Sequence, residues 1–200
     1  PILGVNVGRL GYLAQAHPHE INDVIQKLKN KEYEIQNRLM LKAGNYIALN
    51  DIVIKGLNYT RTATLDLYIN DKKLCSYVAD GLIIATPTGS TAYSWSAGGP
   101  VIDPDLQCIT LTPICTHSPL NRSLVFNEKS VITVKSAKKN QKICISADGE
   151  KSIELSDDFK VKIRKSDYYA EFIRIKTDEF YDILNSKLSQ RKIWNEKKKT

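Results

Sequence analysis

Residues 79–100, "ADGLIIATPTGSTAYSWSAGGP", put an acid, a run of branched aliphatic residues and a hydroxyl-rich turn into very little chain. Leu82 to Ala85 read as a short buried strand, and "TPTGST" reads as the turn that ends it. Thr88, Ser90 and Thr91 are candidate N-caps for a following helical turn. A helix start with unfilled N–H groups is also a polar platform for phosphates or ribose hydroxyls. Tyr93 and Trp95 offer flat faces suited to a base. An ordinary strand-to-helix turn with a capping threonine accounts for the same spacing, so physics alone does not name a ligand here.

Working outward, apolar alternation predicts strands over 34–42, 46–55, 64–69, 73–78, 82–85, 109–113, 130–135, 142–147, 160–164 and 169–175. Turn chemistry separates them, as in "IND" (69–71), "AKKNQK" (137–142) and "LSDD" (155–158). So many short strands at close spacing predict a β-rich sandwich or layered sheet. Two helices flank it. One covers "INDVIQKLKN" (21–30), with Ile21, Val24, Ile25 and Leu28 on one face; the other covers 178–189, with Phe180, Ile183, Leu184 and Leu188 on one stripe. The opening "PILGVNVGRLGYL" reads as a buried strand over 2–5 followed by a glycine-punctuated loop, which leads us to expect that part of a domain precedes residue 1.

Composition narrows the function classes. A chain that is 42% hydrophobic and 26% charged can bury a normal core, which excludes a disordered one. The formal net charge of +7 favours anionic partners, although part of the excess lies in "QRKIWNEKKKT" (190–200), which reads as a solvated tail. Aromatic and basic residues are not interleaved as a nucleic-acid stacking platform requires, so no nucleic-acid partner is expected. No apolar run approaches the ~20 residues of a membrane span. No signal peptide is visible, and a cytoplasmic address with no membrane partner is expected. Cys75, Cys108, Cys115 and Cys144 form no CxxC, and His17, His19 and His117 have no ligand spacing, so no metal site is expected.

Two further polar points interrupt the β pattern. "ALNDIVIKG" (48–56) places Asn50 and Asp51 inside an apolar strand, where unpaired amide and carboxylate groups are costly. "CISADGE" (144–150) does the same with Asp148 and Glu150, although Asp148-Gly149 is also a hairpin signal. With Asp80 these give acids at three strand ends.

The chain resembles the NAD kinase family from residue 1 to about 188. The resemblance is carried by "GVNVGRLGYL" (4–13), "ALNDIVI" (48–54), residues 79–100, "NRSLVF" (121–126) and "ISADGE" (145–150), in the family's order. It implies a two-domain fold, α/β plus all-β, of which this chain is mostly the β-rich, sandwich-like C-terminal domain with flanking helices. Residues 1–30 would end the N-terminal α/β domain and link it. Residues 31–175 would form the NAD-binding domain, and 176–200 would be a C-terminal helix and basic tail packing back on the first domain.

The activity implied is transfer of the γ-phosphate of ATP, with polyphosphate an alternative donor, to the 2′-hydroxyl of the adenosine ribose of NAD. Magnesium or another divalent cation would accompany ATP, and the family suggests a homodimer or homotetramer. The family's catalytic aspartate lies in a Gly-Gly-Asp-Gly loop that this sequence does not contain, so the 200 residues alone are expected to be inactive. The resemblance assigns NAD contacts to Asn50, Asp51, Asp80, Thr91, Ala92, Tyr93 and Ser96. It adds Tyr12 beside the base, Arg61 on the ligand, and Asp148 and Glu150 from "ISADGE". Three departures stand out: Val78 where a basic residue is frequent, Glu150 where glutamine is common, and a shortened hairpin in "MLKAGNYIALND" (40–51). A lipid or sphingoid kinase of the same fold would lack the "TPTGSTAYSWS" segment; a non-catalytic NAD(P)-binding domain would keep it.

Overall fold

A computed structural model describes residues 1–7, 11–57, 61–150, 152–175, 180–186 and 189. The chain divides into two units, Pro1–Asn37 with Ala170–Thr200, and Arg38–Tyr169.

In the first unit, β1 (Gly4–Val5) pairs in parallel with β2 (Ala14–Ala16), and Ile2 bridges to Phe172. A tight turn at Pro18–Glu20 feeds α1 (Ile21–Lys29), where the Glu20 carboxylate accepts the His17 N–H at 2.7 Å. Of the predicted apolar face of α1 only Val24 is buried, while Ile21 and Ile25 are exposed. The strand predicted as buried over 2–5 is also corrected. Ile2 is 56% exposed and Val5 36%, because a two-residue ribbon covers little of its own side chains. The last helix is seen over 180–186, with Ile183 buried and the Tyr12 ring 5.8 Å from that of Phe180. Residues 178, 179, 187 and 188 of the predicted helix, and the basic tail, lie outside the described residues.

Among the described residues, twelve strands build two six-stranded sheets. They are β3 (Glu34–Ala43), β4 (Tyr46–Ala48), β5 (Asp51–Gly56), β6 (Ala63–Ile69), β7 (Lys72–Ala79) and β8 (Gly81–Ala85). There follow β9 (Cys108–Ile114), β10 (Leu124–Asn127), β11 (Ile132–Ser136), β12 (Ile143–Ala147), β13 (Ile153–Glu154) and β14 (Lys160–Arg174). One sheet has the order β10-β9-β8-β5-β12-β13 and the other β4-β3-β14-β11-β6-β7. Alternate residues of both, among them Leu41, Ile52, Leu65, Ile84, Leu111 and Val134, join one buried cluster, which makes the arrangement a sandwich.

β5 and β8 are buried on both faces. Ile52 and Ile54 point into the sandwich core, while Val53, Ile83 and Ala85 form a second small cluster against Ala97 and Ile114. That is why "DIVI" and "LIIA" read as unbroken apolar runs rather than as alternations. Most predicted strands are present, with three differences. The predicted strand 46–55 is two strands separated at Leu49–Asn50, 160–164 and 169–175 are one continuous β14, and β10 and β13 were not foreseen. The shortened hairpin closes with a two-residue turn: Ala43 pairs with Tyr46, and Gly44 supplies the positive φ of 59°.

Candidate functional site

Three antiparallel neighbours, β8, β5 and β12, bring distant polar residues to one end of their sheet. The register Asp51 to Ala85 sets the start of β5 beside the end of β8, and Ile52 to Ala147 sets it beside the end of β12. Asn50, Thr86 and Asp148 therefore meet where three strands end.

Asp148 organises the backbone there. Its Oδ2 accepts the Leu49 N–H at 2.7 Å, and its Oδ1 accepts those of Asn50 and Asp51 at 2.7 and 3.0 Å. This explains the interrupted strand, since these N–H groups turn to a carboxylate instead of a ladder. Asp148 and Gly149 both have positive φ, 47° and 76°, and the Glu150 N–H reaches the Ala147 carbonyl at 2.9 Å, as a type I′ turn requires. The hairpin signal and the polar site are thus one feature.

From β8 the turn is fixed by Thr86. Its hydroxyl donates to the Leu49 carbonyl at 2.6 Å and accepts the Gly89 N–H at 3.0 Å, while its N–H donates to the Asn50 carbonyl at 2.9 Å. The capping hydroxyl is therefore Thr86, not the expected Thr88, Ser90 or Thr91. Pro87, just before the turn Thr88–Thr91, already has helical dihedrals (φ −56°, ψ −39°), which makes the residue before it the cap, a signal the sequence carried. Ser90 instead accepts the Ile102 N–H at 3.0 Å and donates to the Pro87 carbonyl at 2.6 Å. A Cβ on Gly89 would land on the Asn50 backbone, so the two segments touch as bare main chain.

Above this floor stands α2 (Tyr93–Ser96), one helical turn. The buried Ser94 hydroxyl anchors it 3.0 Å from Thr112 Oγ1, which lies 2.9 Å from Ser123 Oγ in the "NRSLVF" segment. Tyr93 is thereby held 42% exposed. A cleft of about 320 Å³ opens between α2 and the strands. Ala92 and Tyr93 line one side, and Asp148, Glu150 and Ser152 another. Its floor is Asp51, Val53 and Lys55 of β5 with Ser146 of β12. Val53, Lys55 and Ser146 were not anticipated. Counting in twos from Asp51 finds the first two, because alternate strand residues share a face.

Of the anticipated residues, Asn50, Asp51, Ala92, Tyr93, Asp148 and Glu150 come together around the cleft. Thr91 lies next to it in sequence, its hydroxyl 3.3 Å from the Thr88 carbonyl; Ser96 is exposed one helical turn beyond Tyr93. Asp80 and Arg61 are not among the lining residues. Asp80 precedes β8, whose other end carries Thr86, and its carbonyl accepts the Gly56 N–H at 3.0 Å. Five residues of strand, about 17 Å, separate it from the cleft end. Arg61 lines a different cavity. Tyr12 belongs to the first unit.

Asp51 is the electrostatic anomaly. It is 4% exposed, and its carboxylate has no hydrogen-bond partner among the described residues. Desolvation, then the neighbouring Asp148 charge, raises its carboxyl from the usual range to about 6. Because the folded-state value exceeds the unfolded one, folding favours the protonated acid. The contribution of Asp51 to stability therefore falls as pH rises from about 4 to about 6 and stays lower above that. Asp51→Asn should raise the unfolding free energy by on the order of 2 kcal/mol at pH 7.5 and by little at pH 4. Chemical denaturation at both pH values tests this, and an equal effect at the two would contradict it. A buried, unpartnered acid that costs stability at neutral pH is a mark of a binding or reactive position.

Comparison with known proteins bears on the same segments. Residues 49–175 match the family described as ATP-NAD kinase C-terminal domain. The chain is 40% identical over 200 residues to the NAD kinase of Caldanaerobacter subterraneus subsp. tengcongensis, covering 96% of this chain and 71% of that protein. It is 38% identical over 199 residues to the NAD kinase of Clostridium botulinum (strain Loch Maree), covering 96% and 70%. Among solved structures, an NAD kinase from Archaeoglobus fulgidus in complex with ATP superposes with a TM-score of 0.82 at 29% identity, covering 94% of this chain and 74% of that one. Yeast NADH kinase complexed with NADH gives 0.81 at 28%, covering 94% and 58%.

Proposed function

The chain belongs to the NAD kinase family, and from that premise we propose that the cleft at the end of β8, β5 and β12 holds the NAD whose adenosine 2′-hydroxyl accepts the γ-phosphoryl group of ATP. The observation that carries this reading is the juxtaposition of Asn50, the partnerless Asp51 carboxylate and the exposed Tyr93 ring around one small polar cleft. The Asn50 amide and Asp51 carboxylate suit ribose hydroxyls, which both donate and accept. The Tyr93 ring suits the face of a base, and Ala92 leaves room for it. Lys55 supplies positive charge for the dinucleotide's phosphates, and Glu150 places an acid at the rim. Thr91 and Ser96 flank these on the same turn. In this reading Arg38–Tyr169 is the dinucleotide-binding domain.

In the reaction the acceptor oxygen forms a bond to the γ-phosphorus as the bond from that phosphorus to ADP breaks, and the hydroxyl proton leaves. Such transfer depends on holding donor and acceptor in line, and no covalent intermediate on the enzyme is needed. The part of this chain is to bind and orient the acceptor. The divalent cation implied with ATP finds no cluster of three or more carboxylate, histidine or cysteine side chains among the described residues, so these residues do not fit a cation site and no step is assigned to one. A lipid acceptor needs an apolar channel, whereas Asn50, Asp51, Ser146, Glu150 and Ser152 line a polar cleft. The family reading also carries a homodimer or homotetramer and a cytoplasmic address, testable by light scattering and cell fractionation.

Tyr93→Ala should weaken NAD binding by about 1–3 kcal/mol, the scale of base–aromatic contacts. The melting temperature should hardly move, because the residue is already 42% exposed. Calorimetric titration beside a thermal melt tests both, and unchanged affinity with a lowered melting temperature would make Tyr93 a packing residue. NADP formation from ATP, magnesium and NAD, followed in a coupled assay on the full-length protein, tests the activity itself.

A further inference from the structure

α2 carries Tyr93 to the cleft, yet it is a single helical turn, too short to hold itself in place. The preceding turn, Thr88–Thr91, does not set its direction, because Ala92 between them has a ψ of −127°, outside the helical range. Bonds from the N–H groups of Ala97, Gly98 and Gly99 to the carbonyls of Tyr93, Trp95 and Ser94 are internal to the segment and move with it. Direction therefore comes from what α2 touches. Ala97 packs on Val53, Ile83 and Ala85, an apolar contact with little angular preference. The Ser94 hydroxyl adds direction, buried at 3.0 Å from Thr112 Oγ1.

Thr112 of β9 stands opposite Ile83, Ile83 opposite Val53, and Val53 opposite Ser146. Directly opposed residues share a face, so the sheet face that holds Ser94 is the one that floors the cleft. Thr112 Oγ1 has a second hydroxyl partner, Ser123 Oγ, at 2.9 Å. Thr110, two residues earlier on the same face, instead donates to the Ala85 carbonyl at 3.1 Å, inside the sheet. Thr112 thus joins α2 to the segment that leads into β10. A Cβ on Gly99 would land on Ser94 Oγ and Thr112 Oγ1, so the bare main chain closes over the pair. In such a buried place water does not replace a lost partner. Successive helical residues point about 100° apart, so a shift of Ser94 on the sheet swings Tyr93 across the cleft.

Resting on the reading of this cleft as the NAD site, we infer that Thr112 is a positioning residue: its hydroxyl, braced by Ser123, fixes Ser94 and through it the angle at which Tyr93 meets the base. The test is a double-mutant cycle on the full-length protein, read as KM for NAD, KM for ATP and kcat, with a thermal melt beside it. Thr112→Val keeps the shape of the side chain and removes both links. It should raise KM for NAD about five-fold, the scale of one lost hydrogen bond, with KM for ATP unchanged. Thr112→Ser keeps the oxygen and should restore most of the KM for NAD. In a Tyr93→Ala background, Thr112→Val should change that KM no further. Ser123→Ala, a milder cut at the half-buried end of the chain of hydroxyls, should raise it about two-fold. A merely structural Thr112 would lower the melting temperature and the active fraction, with both KM values unchanged or raised alike, and that result overturns the inference. So does an equal effect of Thr112→Val with and without Tyr93, or a Thr112→Ser variant as impaired as Thr112→Val. If Thr112→Val does not fold, an unchanged KM for NAD in Ser123→Ala overturns it instead. Failure of the cleft reading looks different: Tyr93→Ala would itself leave KM for NAD unchanged, and the inference would fall with it.

Discussion

Gly89→Ala should cut NAD phosphorylation at least ~100-fold, the scale of a roughly 1 Å misplacement of a positioning group. It should also cost about 3 kcal/mol of stability, the upper end for overpacking. The new methyl would meet the carbonyl carbon and oxygen of Asn50, which are main-chain atoms with no rotamer to escape into. Something must move. The Asn50 carbonyl is tied to the Thr86 N–H and the Asn50 N–H to Asp148, so relief would come only by shifting the strand break itself. Steady-state kinetics beside a denaturation curve measures both quantities. Full activity in Gly89→Ala would show that the contact of the two main chains does not set the acceptor geometry.

Asp148→Ala should be the most destabilising single change at the site, by about 3–4 kcal/mol. It removes the acceptor of three N–H groups and puts alanine at a φ of 47°. Two of those bonds lie at the surface, where water replaces part of the loss. Asp148→Asn should recover part of it, because asparagine tolerates positive φ and keeps one acceptor oxygen. Either change also removes a charge that raises the Asp51 carboxyl, so the fall in stability between about pH 4 and 6 should shrink. Burial, the larger cause, remains, and the fall should not vanish. Urea denaturation of the three proteins at pH 4 and 7.5 measures both effects. An Asp148→Ala variant as stable as the parent at pH 7.5 would remove Asp148 from its organising role.

Much of the fold could be read from local pattern, and the site only in part. The apolar runs at 52–54 and 82–85 marked strands buried on both faces, and the Gly44-Asn45 turn was a local signal. The split at Leu49–Asn50 was not legible, because its cause is Asp148, nearly a hundred residues away. Ser166 and Asp167 looked like a break, yet β14 runs through them: Ser166 is buried, and Asp167 pairs with Arg164 at the surface. The resemblance put Asp80 and Thr91–Ser96 in one motif. It could not show that β8 carries the two to opposite ends, which follows only from the pairing of Gly81 with Lys55 and of Ala85 with Asp51. Asn50, Asp51 and Asp148 were recognisable as polar residues out of place in apolar strands, and Tyr93 as a flat face beside a hydroxyl-rich turn. Gly89 was hidden because its role is contact with another segment's backbone, which sequence spacing does not encode, whereas Thr86 was marked as a cap by the proline after it but not as the partner of Leu49 and Asn50.

The central claim is that the Asn50 cleft binds the acceptor dinucleotide, and Asn50→Ala isolates it. That change leaves the main-chain bonds to Asp148 and Thr86 in place and deletes only the side-chain amide. Calorimetric titration of NAD into the full-length protein and into Asn50→Ala, at matched salt and pH, is the direct measurement. A dissociation constant raised at least ten-fold with an unchanged melting temperature is the predicted result; equal affinity in the two proteins would contradict the assignment of this cleft.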